Sequence, residues 1–172
     1  NLPVWASPAT GGGRIGFPES HPHWRGVLPP GIMAVGETLK EHDLVLVIGS
    51  SVFPYYPYMP GPLLGENSRL VQITSDPDEA ARAPMGEAIV ADVKLTMAAL
   101  NAELDGTDRA AIEPWPGPVR MEETDPLNAS VVMNSLKRVL PEDAIVVLEA
   151  PTSTMALRNQ LRLSRPGSYY FS

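Results

Sequence analysis

An uninterrupted run of five apolar residues, Leu44-Val45-Leu46-Val47-Ile48, lies between Asp43 and Gly49. Apolar residues without alternation predict a strand of a parallel sheet, covered by helices on both faces. Upstream, Ile32, Val35 and Leu39 recur at helical spacing and predict a short helix over 32–40. Downstream, a Pro- and Tyr-rich loop over 50–62 leads to a second strand, Arg69-Leu70-Val71-Gln72-Ile73. Asp76-Pro77-Asp78-Glu79 then opens a helical turn, with Asp76 as N-cap and Pro77 in the first helical position. Ala88-Ile89-Val90 is a third short strand, and 93–104 a helix with Val93, Met97, Leu100 and Leu104 on one face. The same rhythm restarts after residue 124. Asp125-Pro126 caps a helix reaching Leu140, with Leu127, Val131, Leu136 and Val139 along its buried side. A strand over 144–148, a helix over 152–163 and the start of a strand over 168–171 complete the pattern. Near the beginning, Pro3-Val4-Trp5-Ala6 is strand-like.

Strands alternating with short helices predict an α/β fold: a parallel-sheet, nucleotide-binding-like (Rossmann-like) domain followed by a partial second α/β unit. Between the two lies 105–124, containing Pro114-Trp115-Pro116-Gly117-Pro118 and the acidic pair Glu122-Glu123. It reads as a stiff interdomain connector or, alternatively, as a surface loop within one domain. The pattern breaks off inside its last strand, so a truncated second domain is expected. The 19 prolines and 14 glycines fall mostly between the apolar runs and act as punctuation. A net charge of -7 with 13 scattered basic residues argues against a nucleic-acid partner. Without cysteine, disulfides and thiolate metal sites are excluded, which fits a cytoplasmic protein. No apolar run approaches membrane-spanning length, and the first residues do not read as a signal peptide.

Candidate chemistry is sparse. Gly49-Ser50-Ser51 and Thr74-Ser75-Asp76 follow strands, where open α/β sheets bind ligands. They either turn backbone N–H groups toward a phosphate or ribose, or are plain strand-to-helix turns. Neither a dinucleotide fingerprint nor a P-loop is present, and Gly11-Gly12-Gly13 lacks the helix and lysine that a P-loop needs. His21 and His23 flank Pro22, close to Glu19, but one short loop supplies too few metal ligands. A loop that packs Trp24 is the simpler account, and no metal ligand is assigned. Tyr55, Tyr56 and Tyr58 cluster around Pro57, as a pocket for a flat substrate or as an aromatic plug between domains. Thr152-Ser153-Thr154 sits between a strand and a helix, where hydroxyls either meet a phosphate or cap the helix.

Taken in order, several segments resemble one family. They include His42 through Gly49, Asp76 with Glu79-Ala80-Ala81-Arg82-Ala83-Pro84-Met85-Gly86, and Ala88-Ile89-Val90-Ala91-Asp92. His21-Pro22, Arg25-Gly26, Pro30-Gly31-Ile32 and Pro166-Gly167-Ser168-Tyr169-Tyr170-Phe171 add to them. Each is weak alone, but together they are collinear from Leu2 onward. They resemble the thiamine-diphosphate-dependent 2-keto acid decarboxylases of the benzoylformate decarboxylase type.

The resemblance implies a three-domain parent with Mg²⁺-bound thiamine diphosphate, a 2-keto acid substrate and a dimeric or tetrameric assembly. It maps 1–104 onto the central domain without its first strand, 105–124 onto the connector and 125–172 onto the beginning of the diphosphate-binding domain. The catalytic glutamate and the metal motif of the family fall outside this sequence. The piece alone is therefore expected to be inactive and to bind no cofactor. The resemblance puts Thr152 and Ser153 beside the diphosphate and Phe171 in the substrate pocket. It puts Tyr56 where the family carries a catalytic histidine, a departure that matters because tyrosine titrates near ~10. Glu149-Ala150-Pro151 also departs from the family's Asn-Glu-Ser.

Other readings remain at this stage. A flavin-containing acetolactate synthase-type enzyme would share the central domain. Leu46-Val47-Ile48-Gly49-Ser50-Ser51 followed by Pro54 resembles the nucleotide-binding segment of sirtuin-like deacylases, although no cysteines exist for their zinc ribbon. A non-catalytic assembly domain is the fourth.

Overall fold

The computed structural model describes residues 2–7, 15–29, 31–53, 63–106, 110–117 and 125–171. They form two compact units, one spanning 28–108 and the other combining 1–27 with 109–172.

In the unit spanning 28–108, the apolar run becomes β3 (Leu44–Ile48), paired in parallel with β4 (Arg69–Thr74), which pairs in parallel with β5 (Glu87–Val90). Helix α1 (Ile32–Leu39) buries Ile32, Val35 and Leu39, the three positions its spacing singles out. Helix α2 (Pro77–Arg82) starts as predicted: the Asp76 carboxylate accepts from the N–H groups of Asp78 and Glu79, at 2.8 and 3.3 Å. Such a cap contributes about 1 kcal/mol to a short helix. Helix α3 (Val93–Glu103) is capped by Asp92, which accepts from Leu95 N–H at 2.8 Å. Val93, Met97 and Leu100 are only half-buried and Leu104 is exposed, so the predicted apolar face of α3 is not fully covered. The full coverage expected of β3 is likewise incomplete, because Leu44 and Ile48 at its ends are exposed. Gly86, at φ +87°, marks the entry to β5; a Cβ there would lie 2.7 Å from Leu70 O.

The other unit opens with β1 (Val4–Ala6) and β2 (Trp24–Val27), a parallel pair. The sequence reading has a loop that packs Trp24 here and places no strand over 24–27. Trp24 is 3% exposed, and the burial of its indole compensates for the poor strand composition.

Helix α4 (Ala129–Val139) begins later than predicted: its N-cap is Asn128, whose side chain accepts from Val131 N–H at 3.0 Å, and not Asp125. Consequently Leu127 precedes the helix and is 66% exposed, and Val139 is 76% exposed. Val131 is buried as predicted, at 1% exposure, and Met133, Leu136 and Leu140 are partly buried against the leucine core. β6 (Val146–Leu148) pairs in parallel with β7 (Tyr169–Phe171), and a single 3-10 turn (Pro151–Ser153) leads into α5 (Thr154–Gln160). The core of this unit comprises Leu148, Leu157, Leu161, Leu163 and Tyr169. Among the described residues no helix is long and apolar enough to cross a membrane.

Candidate functional site

In an open parallel sheet, ligand contacts are sought at the carboxyl ends of the strands. β3 ends at Gly49, whose φ of +60° turns the chain and whose N–H donates to Ile73 O at 2.8 Å. Beneath the turn, fully buried Gln72 donates through Nε2 to Ser50 O at 3.0 Å. Phe53 follows with φ 44°, a left-handed conformation costly to a non-glycine residue. Tyr56, and with it Tyr55 and Tyr58, lies outside the described residues. At the end of β4 the polar groups bond locally: Thr74 Oγ1 accepts from Asp76 N–H at 3.1 Å, and the Asp76 carboxylate caps α2. These partners make the Thr74–Asp76 segment a well-satisfied strand-to-helix turn.

The second candidate region has a different character. Leu148 of β6 lies in register with Phe171 of β7, so residues 149–153 and Phe171 leave the same edge of one parallel pair. Ala150 O accepts from Ser153 N–H at 3.0 Å and from Thr154 Oγ1 at 3.0 Å, which closes the turn. Ser153 is the N-cap residue of α5, yet its hydroxyl makes no capping hydrogen bond, and Thr152 is exposed. Phe171 is half-buried against the leucine core. The fold thus brings Thr152, Ser153 and Phe171 to one sheet edge, with hydroxyls that the helix itself does not use.

The same unit holds a feature that no sequence motif signals. The Glu19 carboxylate is buried: Oε1 accepts from Arg158 Nη2 and Oε2 from Leu163 N–H at 2.9 Å. The Arg158 guanidinium stacks on the ring of Tyr169, its Cζ 4.6 Å from the centroid. Desolvation raises the Glu19 pKa despite the opposing attraction of Arg158 and the Leu163 N–H bond. The two partners are 139 residues apart, so neither spacing nor composition could pair them.

The histidines form no metal group, and none exists among the described residues. Instead His21 Nδ1 accepts from His23 N–H at 3.1 Å, and His21 meets the rings of Phe17 and His23 edge-on, at 5.1 and 4.7 Å. Trp24 is packed as anticipated, but as the first residue of β2 and not in a loop.

Residues 1–100 match the model of the thiamine pyrophosphate enzyme central domain. The chain belongs to the thiamine pyrophosphate enzymes. It is 40% identical over 171 residues to benzoylformate decarboxylase of Pseudomonas aeruginosa, a match covering 99% of this chain and 32% of that relative. Among solved structures it is similar to the thiamine diphosphate-dependent 4-hydroxybenzoylformate decarboxylase of Rhodococcus jostii, with TM-score 0.87 and 39% identity over 98% of this chain. The benzoylformate decarboxylase of Polynucleobacter necessarius superposes with TM-score 0.91 at 30% identity, again over 98% of this chain. In each of these structural matches the chain spans 32% of the neighbour's length. The parallel-sheet α/β fold with a partial second unit is therefore that of the thiamine pyrophosphate enzymes.

One further concavity exists in the unit combining 1–27 with 109–172, a shallow cleft of about 370 Å³ whose wall includes His21, Trp115 and Arg162. Thr152, Ser153 and Phe171 do not line it, so it is separate from the end of the β6–β7 pair where these three lie.

Proposed function

We propose that this chain is the central domain, the Pro-rich connector and the beginning of the diphosphate-binding domain of a 2-keto acid decarboxylase, with boundaries at 104 and 124. The parent depends on thiamine diphosphate and Mg²⁺ and releases CO₂ from an aryl 2-keto acid such as benzoylformate. The carrying observation is the 40% identity to benzoylformate decarboxylase across 99% of the chain. The parent is further proposed to be cytoplasmic and a homo-oligomer, dimer or tetramer; the exposed apolar side chains Leu95, Leu104, Val139 and Val147 support the assembly.

The residues present suit the cofactor as far as they go. Ser153 carries a hydroxyl not consumed by helix capping, and Thr152 is exposed beside it; both suit hydrogen bonding to a diphosphate. The thiazolium ring, when bound, supplies the electron sink for loss of CO₂. The chain's own contribution is binding and shape: Thr152 and Ser153 hold the diphosphate, and Phe171 offers an apolar wall for the aryl group. Tyr56 stands at the family's histidine position. A tyrosine there offers a hydroxyl, donor and acceptor, in place of the family's imidazole.

The test is a fluorescence titration of the full-length parent with thiamine diphosphate and Mg²⁺, followed by CO₂ release from benzoylformate and 4-hydroxybenzoylformate. Saturable binding and turnover of either acid are expected. A parent that carries FAD and condenses two 2-keto acids without releasing an aldehyde would replace this reading with the acetolactate synthase type.

A further inference from the structure

The deepest charges in the described structure belong to one pair, Glu19 and Arg158, outside the three candidate residues. The side chains of Glu19 and Arg158 are 2% and 8% exposed. Burying an ion pair is expensive, and apolar side chains of similar volume often serve stability as well or better. What a carboxylate and a guanidinium add is direction, since their hydrogen bonds tolerate little misalignment. Here the directions converge. Glu19 Oε1 takes Arg158 Nη2 from the middle of α5, and Oε2 takes Leu163 N–H from the segment after it. Glu19 N–H donates to Leu163 O at 3.3 Å, and Ser20 N–H to Ser164 Oγ at 3.0 Å, so residues 19–20 strap 163–164. The other face of the guanidinium system rests on Tyr169 of β7.

The cluster therefore fixes α5 against β7. Thr152 and Ser153 lie within two helical turns before Arg158. Phe171 follows Tyr169 by two residues and so shares its side of the strand.

We propose that Glu19 and Arg158 are positioning residues that set Thr152 and Ser153 relative to Phe171, and thereby the grip on diphosphate and aryl group. This rests on the thiamine-diphosphate reading of those three residues. Displacing a binding group by an ångström costs up to about a hundredfold in function, whereas loss of a purely structural pair shows in stability alone.

The test uses the full-length enzyme with Mg²⁺, measuring the thiamine diphosphate Kd, KM and kcat for benzoylformate, and melting temperature. The double variant Glu19→Leu/Arg158→Met keeps apolar burial and removes direction. It is expected to melt within a few degrees of the wild type while Kd rises about tenfold or more. Glu19→Gln and Arg158→Lys, which retain most of the shape, should give smaller rises of the same kind and serve if the double variant does not fold. In a Thr152→Ala background the double replacement should cost less than about threefold, because the positioned group is gone. Kd and KM within about twofold of wild type in the pair variants, with only the melting temperature lowered, would overturn the inference. Thr152→Ala alone leaving Kd unchanged would instead sink the underlying assignment of Thr152, and the inference with it. The two failures are told apart because the second needs no change at Glu19 or Arg158.

Discussion

Single residues carry the sharpest consequences. Gly86 combines φ +87° with a space in which an added Cβ would meet Leu70 Cδ2 at 2.6 Å and Leu70 O at 2.7 Å. Both the backbone conformation and the strand opposite resist a side chain there, so Gly86→Ala should cost about 2–4 kcal/mol. Hydrogen exchange of the β4 and β5 amides in the parent measures it: protection should fall locally, and unchanged protection would show that β5 can shift to accept the methyl group. Tyr56 makes the opposite kind of case, since its chemistry and not its packing is at stake. On the proposed function, Tyr56→His places an imidazole, which titrates near neutrality, where the family carries its histidine. It should raise kcat/KM for benzoylformate on the order of tenfold in the parent. An unchanged rate would remove this position from the list of groups that handle protons.

At the scale of elements, legibility follows the range of the interactions that make each one. Helix α2 is written locally, because Asp76 and Pro77 set its start through bonds to residues two and three places on, and the structure repeats the reading residue for residue. Helix α4 was read with its cap three residues early because Asp125-Pro126 and Asn128 are both competent signals, and local sequence does not rank them. β2 was missed because its status depends on Trp24 finding a buried place, which is a tertiary event. The candidate site divides in the same way. Thr152, Ser153 and Phe171 came from resemblance along the chain, whereas the Glu19–Arg158 pair is a contact between distant segments. That pair has a pH signature. Arg158 and Arg162 face Glu19 and oppose its protonation, with the Tyr169 phenol also close, yet desolvation dominates and raises the folded pKa above 4.5. A carboxyl group with a raised folded pKa contributes stability that is fully present below its unfolded pKa. That contribution is lost as pH rises through the folded value. Wild-type stability should therefore decline with rising pH above 4.5 relative to Glu19→Gln, which cannot titrate. Urea unfolding of both proteins across that range measures the difference, and parallel pH profiles would mean that burial does not outweigh the arginines.

For the whole molecule, the ratio of surface to site decides what the 172-residue chain can do by itself. Its sheets leave Ile89, Val90 and Val147 exposed, residues that a parallel sheet ordinarily buries beneath helices on both faces. Its matches to the decarboxylases cover almost all of this chain but only 32% of theirs. On the proposed function, the groups here that meet the cofactor are two hydroxyls at one edge of a two-stranded sheet, with an aromatic side chain beside them. Two hydrogen bonds to the charged diphosphate contribute on the order of 2 kcal/mol each, against about 4 kcal/mol or more lost on immobilising a ligand. Affinity then stays in the millimolar range or weaker, and the charge of a diphosphate remains better solvated by water and Mg²⁺ than by this surface. The isolated chain is therefore expected to give no saturable heat on calorimetric titration with thiamine diphosphate, with or without Mg²⁺, and no CO₂ from benzoylformate. The full-length parent in the same cell should saturate with Mg²⁺ present. Tight, Mg²⁺-dependent binding to the 172-residue chain would mean that the grip on the diphosphate resides within it, contributed by residues other than Thr152 and Ser153.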